Sequence, residues 1–199
     1  MRKVISSVVL LSLFGVGLWY VAGTRFWAKD KVELTNNESK PLPPPLSYQT
    51  KPEIGFLAPD FLLKTLDGRE VRLSDYLGQV VVLNFWTSQC PFCLMELKNF
   101  SRLAAEYQNK LVVVAINRGE AAVTVDNYLS RYIRPSDIVF LLDPDNTTYR
   151  RYGVEALPET FIIDSSGVMR DHKLGELTFE EMSKRAKAVL EATSAPASR

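Results

Sequence analysis

Both cysteines of this 199-residue chain fall within four positions, Cys90-Pro91-Phe92-Cys93, just after an almost unbroken apolar run from Val80 to Trp86. A short, β-branched, non-alternating run suits a central strand covered on both faces. Beyond the cysteines the period changes, and Leu97, Phe100, Ala104 and Tyr107 recur at helical spacing from Cys90 to about Tyr107. The chain is thereby constrained to a buried strand, a tight turn, and a helix that opens on Cys-x-x-Cys. Positions i and i+3 share a helix face, so two thiols there can close into a disulfide or reopen with little backbone movement. Cys90 is placed at the helix start, where unpaired N–H groups and the macrodipole favour a thiolate. It is the candidate nucleophile, and Cys93, one turn inside, is the candidate resolving thiol.

A Cys-x-x-Cys pair can also be half of a zinc site, but zinc takes four ligands. This chain has no further cysteine and one distant histidine, His172. A purely structural disulfide would close a very small loop and cross-link little of the unfolded chain. Redox chemistry is the better reading of the pair, with no cofactor beyond the Cys90–Cys93 disulfide itself.

Residues 4–23 carry no charge and are rich in Val, Leu, Ile, Phe and Gly. At roughly 1.5 Å per residue such a run spans a bilayer core of about 30 Å. Trp19, Tyr20 and Trp27 lie near its far end, where interfacial aromatics are common, and Arg2 and Lys3 precede it. A cleaved signal peptide is the competing reading, with Val21-Ala22-Gly23 as a weak cleavage site. The run is longer than an ordinary signal core, which favours a retained anchor over residues 1–27. Either way the remainder is expected on the extracytoplasmic side of a cell membrane. Residues 28–51, with Pro41 and Pro43-Pro44-Pro45, read as a disordered, semi-rigid tether, and residues 193–199 as a frayed tail. Charge is nearly balanced, 24 basic against 23 acidic side chains. No basic patch or phosphate-binding glycine loop points to nucleic acid.

Residues 52–192 are enough for one domain with a core. Asp67-Gly68 between two apolar segments signals a hairpin near the domain's N-terminus. Leu111 to Ile116, Ile138 to Leu142, Thr160 to Ile163 and Val168 to Lys173 read as strands. Helices are expected around Val125 to Tyr132 and Thr147 to Tyr152, and after Thr178, which forms a capping box with Glu181. Alternating strands and helices with a closing hairpin imply an α/β fold, a mixed sheet flanked by helices.

The order of motifs resembles the membrane-anchored, thioredoxin-like proteins of the TlpA/ResA type. The marks are Gly55-Phe56-Leu57-Ala58-Pro59-Asp60-Phe61, Leu73-Ser74-Asp75-Tyr76-Leu77-Gly78, Leu83-Asn84-Phe85-Trp86 with the Cys pair, Asn117-Arg118-Gly119-Glu120, and Leu157-Pro158-Glu159-Thr160-Phe161. The resemblance runs from about Ile54 to Leu190. It implies a thioredoxin-like fold and a thiol–disulfide oxidoreductase outside a membrane. Its partners would be protein thiols and disulfides, including those of apocytochrome c, and a membrane thiol–disulfide donor would restore it. It also implies a cis proline at Pro158 that presents the backbone of Leu157 to an extended substrate. Glu96 is placed near the thiols, where a partly buried carboxyl can exchange protons with Cys93. Pro91 and Phe92, between the cysteines, help to set the redox potential. Trp86, Phe92 and Leu157 are expected to form an apolar docking rim, with core packing the plainer role for Trp86. The chain departs from thioredoxin at Asn84, where a buried acid would stand, and from many relatives at Gln89, where they carry Trp.

Two rival chemistries remain on the sequence. A peroxiredoxin-type peroxidase needs Pro-x-x-x-Thr-x-x-Cys; Thr87 fits, but Leu83 stands at the proline position. A copper-binding assembly factor would use both thiolates, which suit Cu(I), together with His172.

Overall fold

The computed structural model describes residues 47–133 and 137–194. The expected anchor, the tether up to residue 46 and residues 195–199 lie outside the described residues, as does Pro135. Among the described residues no helix is long and apolar enough to cross a membrane.

In chain order the elements are β1 (Ser47–Thr50), β2 (Phe56–Leu57), β3 (Leu62–Thr65), β4 (Glu70–Arg72), β5 (Val80–Trp86), α1 (Cys93–Glu106), β6 (Leu111–Arg118), α2 (Ala122–Tyr132), β7 (Ile138–Asp143), α3 (Thr147–Arg151), β8 (Glu159–Ile163), β9 (Met169–Leu174) and α4 (Phe179–Ser194). Seven strands form one mixed sheet in the order β4-β3-β7-β6-β5-β8-β9. β5, β6 and β7 run parallel, while β3 and β8 join them antiparallel. β3 and β4 pair antiparallel across Asp67 and Gly68.

β5 has neighbours on both edges and every one of its residues is buried, which explains its lack of alternation. Its side chains still divide by parity. Val80, Val82 and Trp86 enter a core with Leu97 and Phe100 of α1, Leu129 of α2 and Met182 and Ala186 of α4. Val81, Leu83 and Phe85 enter a second core on the opposite face with Phe61, Val71, Tyr152 and Phe161. Asn84 shares the parity of Trp86 and so projects into the α1 layer.

Three boundaries differ from the sequence reading. β1 pairs in parallel with β2, so strand structure starts inside residues 28–51, where backbone pairing needs no apolar periodicity. α4 continues to Ser194, past the expected end at 192. Regular helix in α1 begins at Cys93 rather than Cys90, because the preceding turn closes through Cys90 N–H to Thr87 C=O and Cys93 N–H to Cys90 C=O. The capping box of α4 is present: Thr178 N–H donates to Glu181 at 3.0 Å, and Glu181 N–H donates to Thr178 Oγ1 at 3.2 Å.

Candidate active site

β5 delivers the chain to the edge of the core, and four residues later Cys90 and Cys93 are joined as a disulfide, with Cα atoms 5.4 Å apart. Cys90 sits in the turn ahead of α1, and Cys93 is the first residue of the helix. The Cys93 N–H, one of the helix donors without an intrahelical acceptor, points at Cys90 Sγ from 3.2 Å. The two sulfurs are not equivalent. Cys90 retains 7% of its surface and Cys93 1%.

Glu96, one turn after Cys93, faces inward and is 1% exposed, so it is not a solvated helix glutamate. Its Oε1 accepts the Leu177 N–H at 3.0 Å and its Oε2 accepts Asn84 Nδ2 at 2.9 Å. Burial pushes the carboxyl up to about 7, against the pull of the Leu177 and Asn84 hydrogen bonds, with Glu176 adding to the rise and Lys173 opposing it. A carboxyl tuned to that value can give or take a proton near neutrality.

The turn before Cys90 is held from β6. Gly119 adopts φ +67°, and a Cβ there would meet Asn146 Oδ1 at 2.9 Å. This close left-handed turn admits glycine alone without strain and carries Glu120 back toward the cysteines. Glu120 accepts the Ser88 N–H at 2.8 Å, the Ser88 hydroxyl, and Asn117 Nδ2 at 2.6 Å. Burial works to raise the Glu120 carboxyl, but these donors outweigh it and hold the group below its usual range. The Asn117-x-x-Glu120 spacing is visible in the sequence; its bond to Ser88 is not.

β8 runs antiparallel to β5, with Phe85 opposite Glu159. The loop ahead of β8 therefore emerges at the same end of the sheet as the cysteines. Its Leu157–Pro158 peptide bond is cis, as the resemblance implies, and Pro158 C=O accepts the Gly175 N–H at 2.9 Å. Leu157 is partly buried against both cores. Glu159 is buried and accepts the Glu155 N–H at 2.9 Å, a carboxylate cap on this loop that motif reading missed.

Of the expected docking residues, Phe92 is 55% exposed and Pro91 is also exposed. Trp86 does not belong to that rim. It is fully buried against Tyr128 and Phe140 at centroid distances of 5.8 Å, because its parity on β5 turns it into the α1 and α2 layer. Met95, 61% exposed on α1, extends the apolar surface beside Phe92. His172 lies on β9 with Nε2 2.6 Å from Glu159 Oε1, its ring stacked on Phe161 at 4.4 Å. It is not the freely solvated side chain that exposure on a hairpin suggests. Leu83, at the position a peroxidase would fill with proline, is a core residue of β5.

A family profile described as the AhpC/TSA family matches residues 54–172. Thiol-disulfide oxidoreductase ResA of Geobacillus thermodenitrificans is 35% identical over 142 residues, which cover 71% of this chain and 80% of the relative. Thioredoxin-like protein YneN of Bacillus subtilis is 36% identical over 145 residues, covering 69% and 85%. A solved Chlorobium tepidum structure, provisionally assigned as the thiol:disulfide interchange protein DsbE, superposes with a TM-score of 0.63 at 31% identity, over 67% of this chain and 95% of that one.

Proposed function

Since the chain belongs to the AhpC/TSA family and is a thiol-disulfide oxidoreductase of the ResA/DsbE type, we propose that it is a membrane-tethered reductant of exported protein disulfides. The observation that carries the mechanism is the asymmetry of the two sulfurs: the more exposed one receives a helix N–H, and the buried one lies a turn from a carboxyl near its midpoint at neutral pH.

In the reduced protein Cys90 is the nucleophile. Its thiolate attacks one sulfur of a substrate disulfide; a Cys90–substrate bond forms and the other substrate sulfur leaves as a thiolate. The Cys93 N–H stabilises the anion on Cys90 before attack. Cys93 then gives its proton to the Glu96 carboxylate and attacks Cys90 Sγ. The second substrate thiolate departs, and the pair is left as the Cys90–Cys93 disulfide. Two electrons have passed to the substrate, and a thiol donor in the membrane restores the dithiol by the reverse exchange. The exposed Pro91 and Phe92, between the two cysteines, and the backbone of Leu157 and Pro158, at the same end of the sheet, would receive the substrate segment.

The apolar residues 4–23 support the tether, and the family resemblance supports apocytochrome c among the substrates. The deciding measurement is the equilibrium reduction potential of the full chain in detergent against a glutathione series. A value of about −270 mV or lower supports the reductant. A value near −120 mV, that of a strong oxidant, reverses the direction and removes apocytochrome c reduction with it.

A further inference from the structure

Asn84 stands on β5 where its parity aims it into the α1 layer, and it is fully buried. Its Nδ2 donates to Glu96 Oε2 at 2.9 Å and to Thr160 Oγ1 on β8 at 3.0 Å, while its Oδ1 is buried with no hydrogen-bond partner. Buried acceptors without partners are rare and costly, and this one lies in direct contact with the candidate proton carrier. We propose that Asn84 is a positioning residue that partners Glu96 in both of its protonation states, its side-chain amide turning over when the carboxyl takes up a proton.

The observed arrangement suits a carboxylate, because both oxygens of Glu96 accept. A protonated carboxyl has an O–H that must donate. The Leu177 N–H belongs to the backbone and cannot become an acceptor. Asn84 can: a half turn of its terminal torsion, which is broad and roughly two-fold, brings Oδ1 to the place of Nδ2. The Glu96 O–H then donates to Oδ1. The Thr160 hydroxyl, able to give or receive, donates to the same oxygen. The unpartnered position holds Oδ1 in one state and Nδ2 in the other, so the location of the carboxyl proton decides between them.

The charges acting on Glu96 are Glu176 and Lys173, with opposite effects, from the segment between β9 and α4 and from β9. From β5 it meets the neutral Asn84, which is itself held by the Thr160 hydroxyl of β8. Burial holds the carboxyl at about 7, so both orientations are populated near neutrality. The inference deepens the reading of Glu96 as the proton partner of Cys93 and rests on it for its catalytic consequence; the turn of the amide is read separately.

The test is NMR on the full chain in deuterated detergent, with side-chain 15N-asparagine and 13C-labelled Glu and Thr. Glu96 is titrated through its carboxyl carbon, and NOEs from the Asn84 Hδ2 protons to Thr160 are recorded at about pH 5 and about pH 9, two units either side of the midpoint. The NOEs are expected at the high pH and lost at the low one, with the Glu96 midpoint, and they should become independent of pH in Glu96→Gln. NOEs that persist through the Glu96 titration overturn the proposal, as does a pH-dependent loss that survives Glu96→Gln. If the exchange rate of Glu96→Gln keeps the wild-type pH profile while the NOEs still follow Glu96, the catalytic reading fails and the amide switch stands.

Discussion

Cys90 and Cys93 are three residues apart but hold different chemistry, because Cys90 keeps more of its surface and receives a helix N–H at its sulfur, while Cys93 is almost wholly covered. Cys90→Ser is therefore expected to abolish exchange with an insulin-type disulfide substrate. Cys93→Ser should accumulate a mixed disulfide on Cys90, visible as a slower band on non-reducing gels. Accumulation by Cys90→Ser in its place would reverse the roles. Glu96 makes a second prediction, on stability. Below the ordinary glutamate value of 4.5 the carboxyl is protonated in folded and unfolded chains alike, so its titration takes nothing from stability there. As pH rises from 4.5 through about 7, the unfolded chain ionises while the buried group keeps its proton, so stability falls. The full loss, reached above the folded midpoint, is on the order of 3 kcal/mol. Urea midpoints of the wild type should decline across that window more steeply than those of Glu96→Gln; parallel curves would sink the assignment.

At the scale of elements, the cysteine turn depends on a strand end that is remote in sequence. Glu120 holds Ser88 by its N–H and its hydroxyl, so Glu120→Ala leaves those donors without their acceptor at a cost of about 1–3 kcal/mol. Because hydrogen bonding keeps the Glu120 carboxyl below its usual range, its contribution is present above the unfolded midpoint of 4.5 and disappears as pH falls through the lower folded value. Acid denaturation of wild type and Glu120→Ala should thus converge, and a gap undiminished in acid would refute the clamp. Gly119→Ala forces a Cβ against Asn146 in a left-handed turn and should slow exchange together with a loss of about 1 kcal/mol or more. An unchanged rate would show that the turn does not position Cys90. The Thr178 cap tests a different end of the fold: Thr178→Ala is expected to lose about 1 kcal/mol, measured by urea unfolding, with the reduction potential unaltered.

Taken as a whole molecule, the site is the meeting of three segments that the seven-stranded sheet brings to one end: the turn after β5, the glutamate after β6, and the loop before β8. The fold class was legible because each strand and helix carries its own period, and because Val80–Trp86, buried on both faces, announces its central place by lacking alternation. The cysteine pair and the Thr178–Glu181 capping box were also legible, since each depends on residues close in the chain, whereas the cis bond before Pro158 and the place of Glu96 near the thiols were implied by the family resemblance. Trp86 carried two readings, docking rim and the plainer core packing, because composition marks it as apolar without saying which apolar surface it joins; strand parity and the helix above it decide for the core. His172 likewise gained its partner only when β9 paired with β8. Asn84 and Thr160 are 76 positions apart, and Ser88 and Glu120 are 32. No local pattern couples such residues. By itself, then, the sequence determined the chemistry of the pair and the succession of elements, through spacing and periodicity. Only the tertiary structure decided how far each cysteine is covered, how completely Glu96 is buried and which distant side chains hold them, because burial and hydrogen bonding are properties of neighbours that the chain order does not contain.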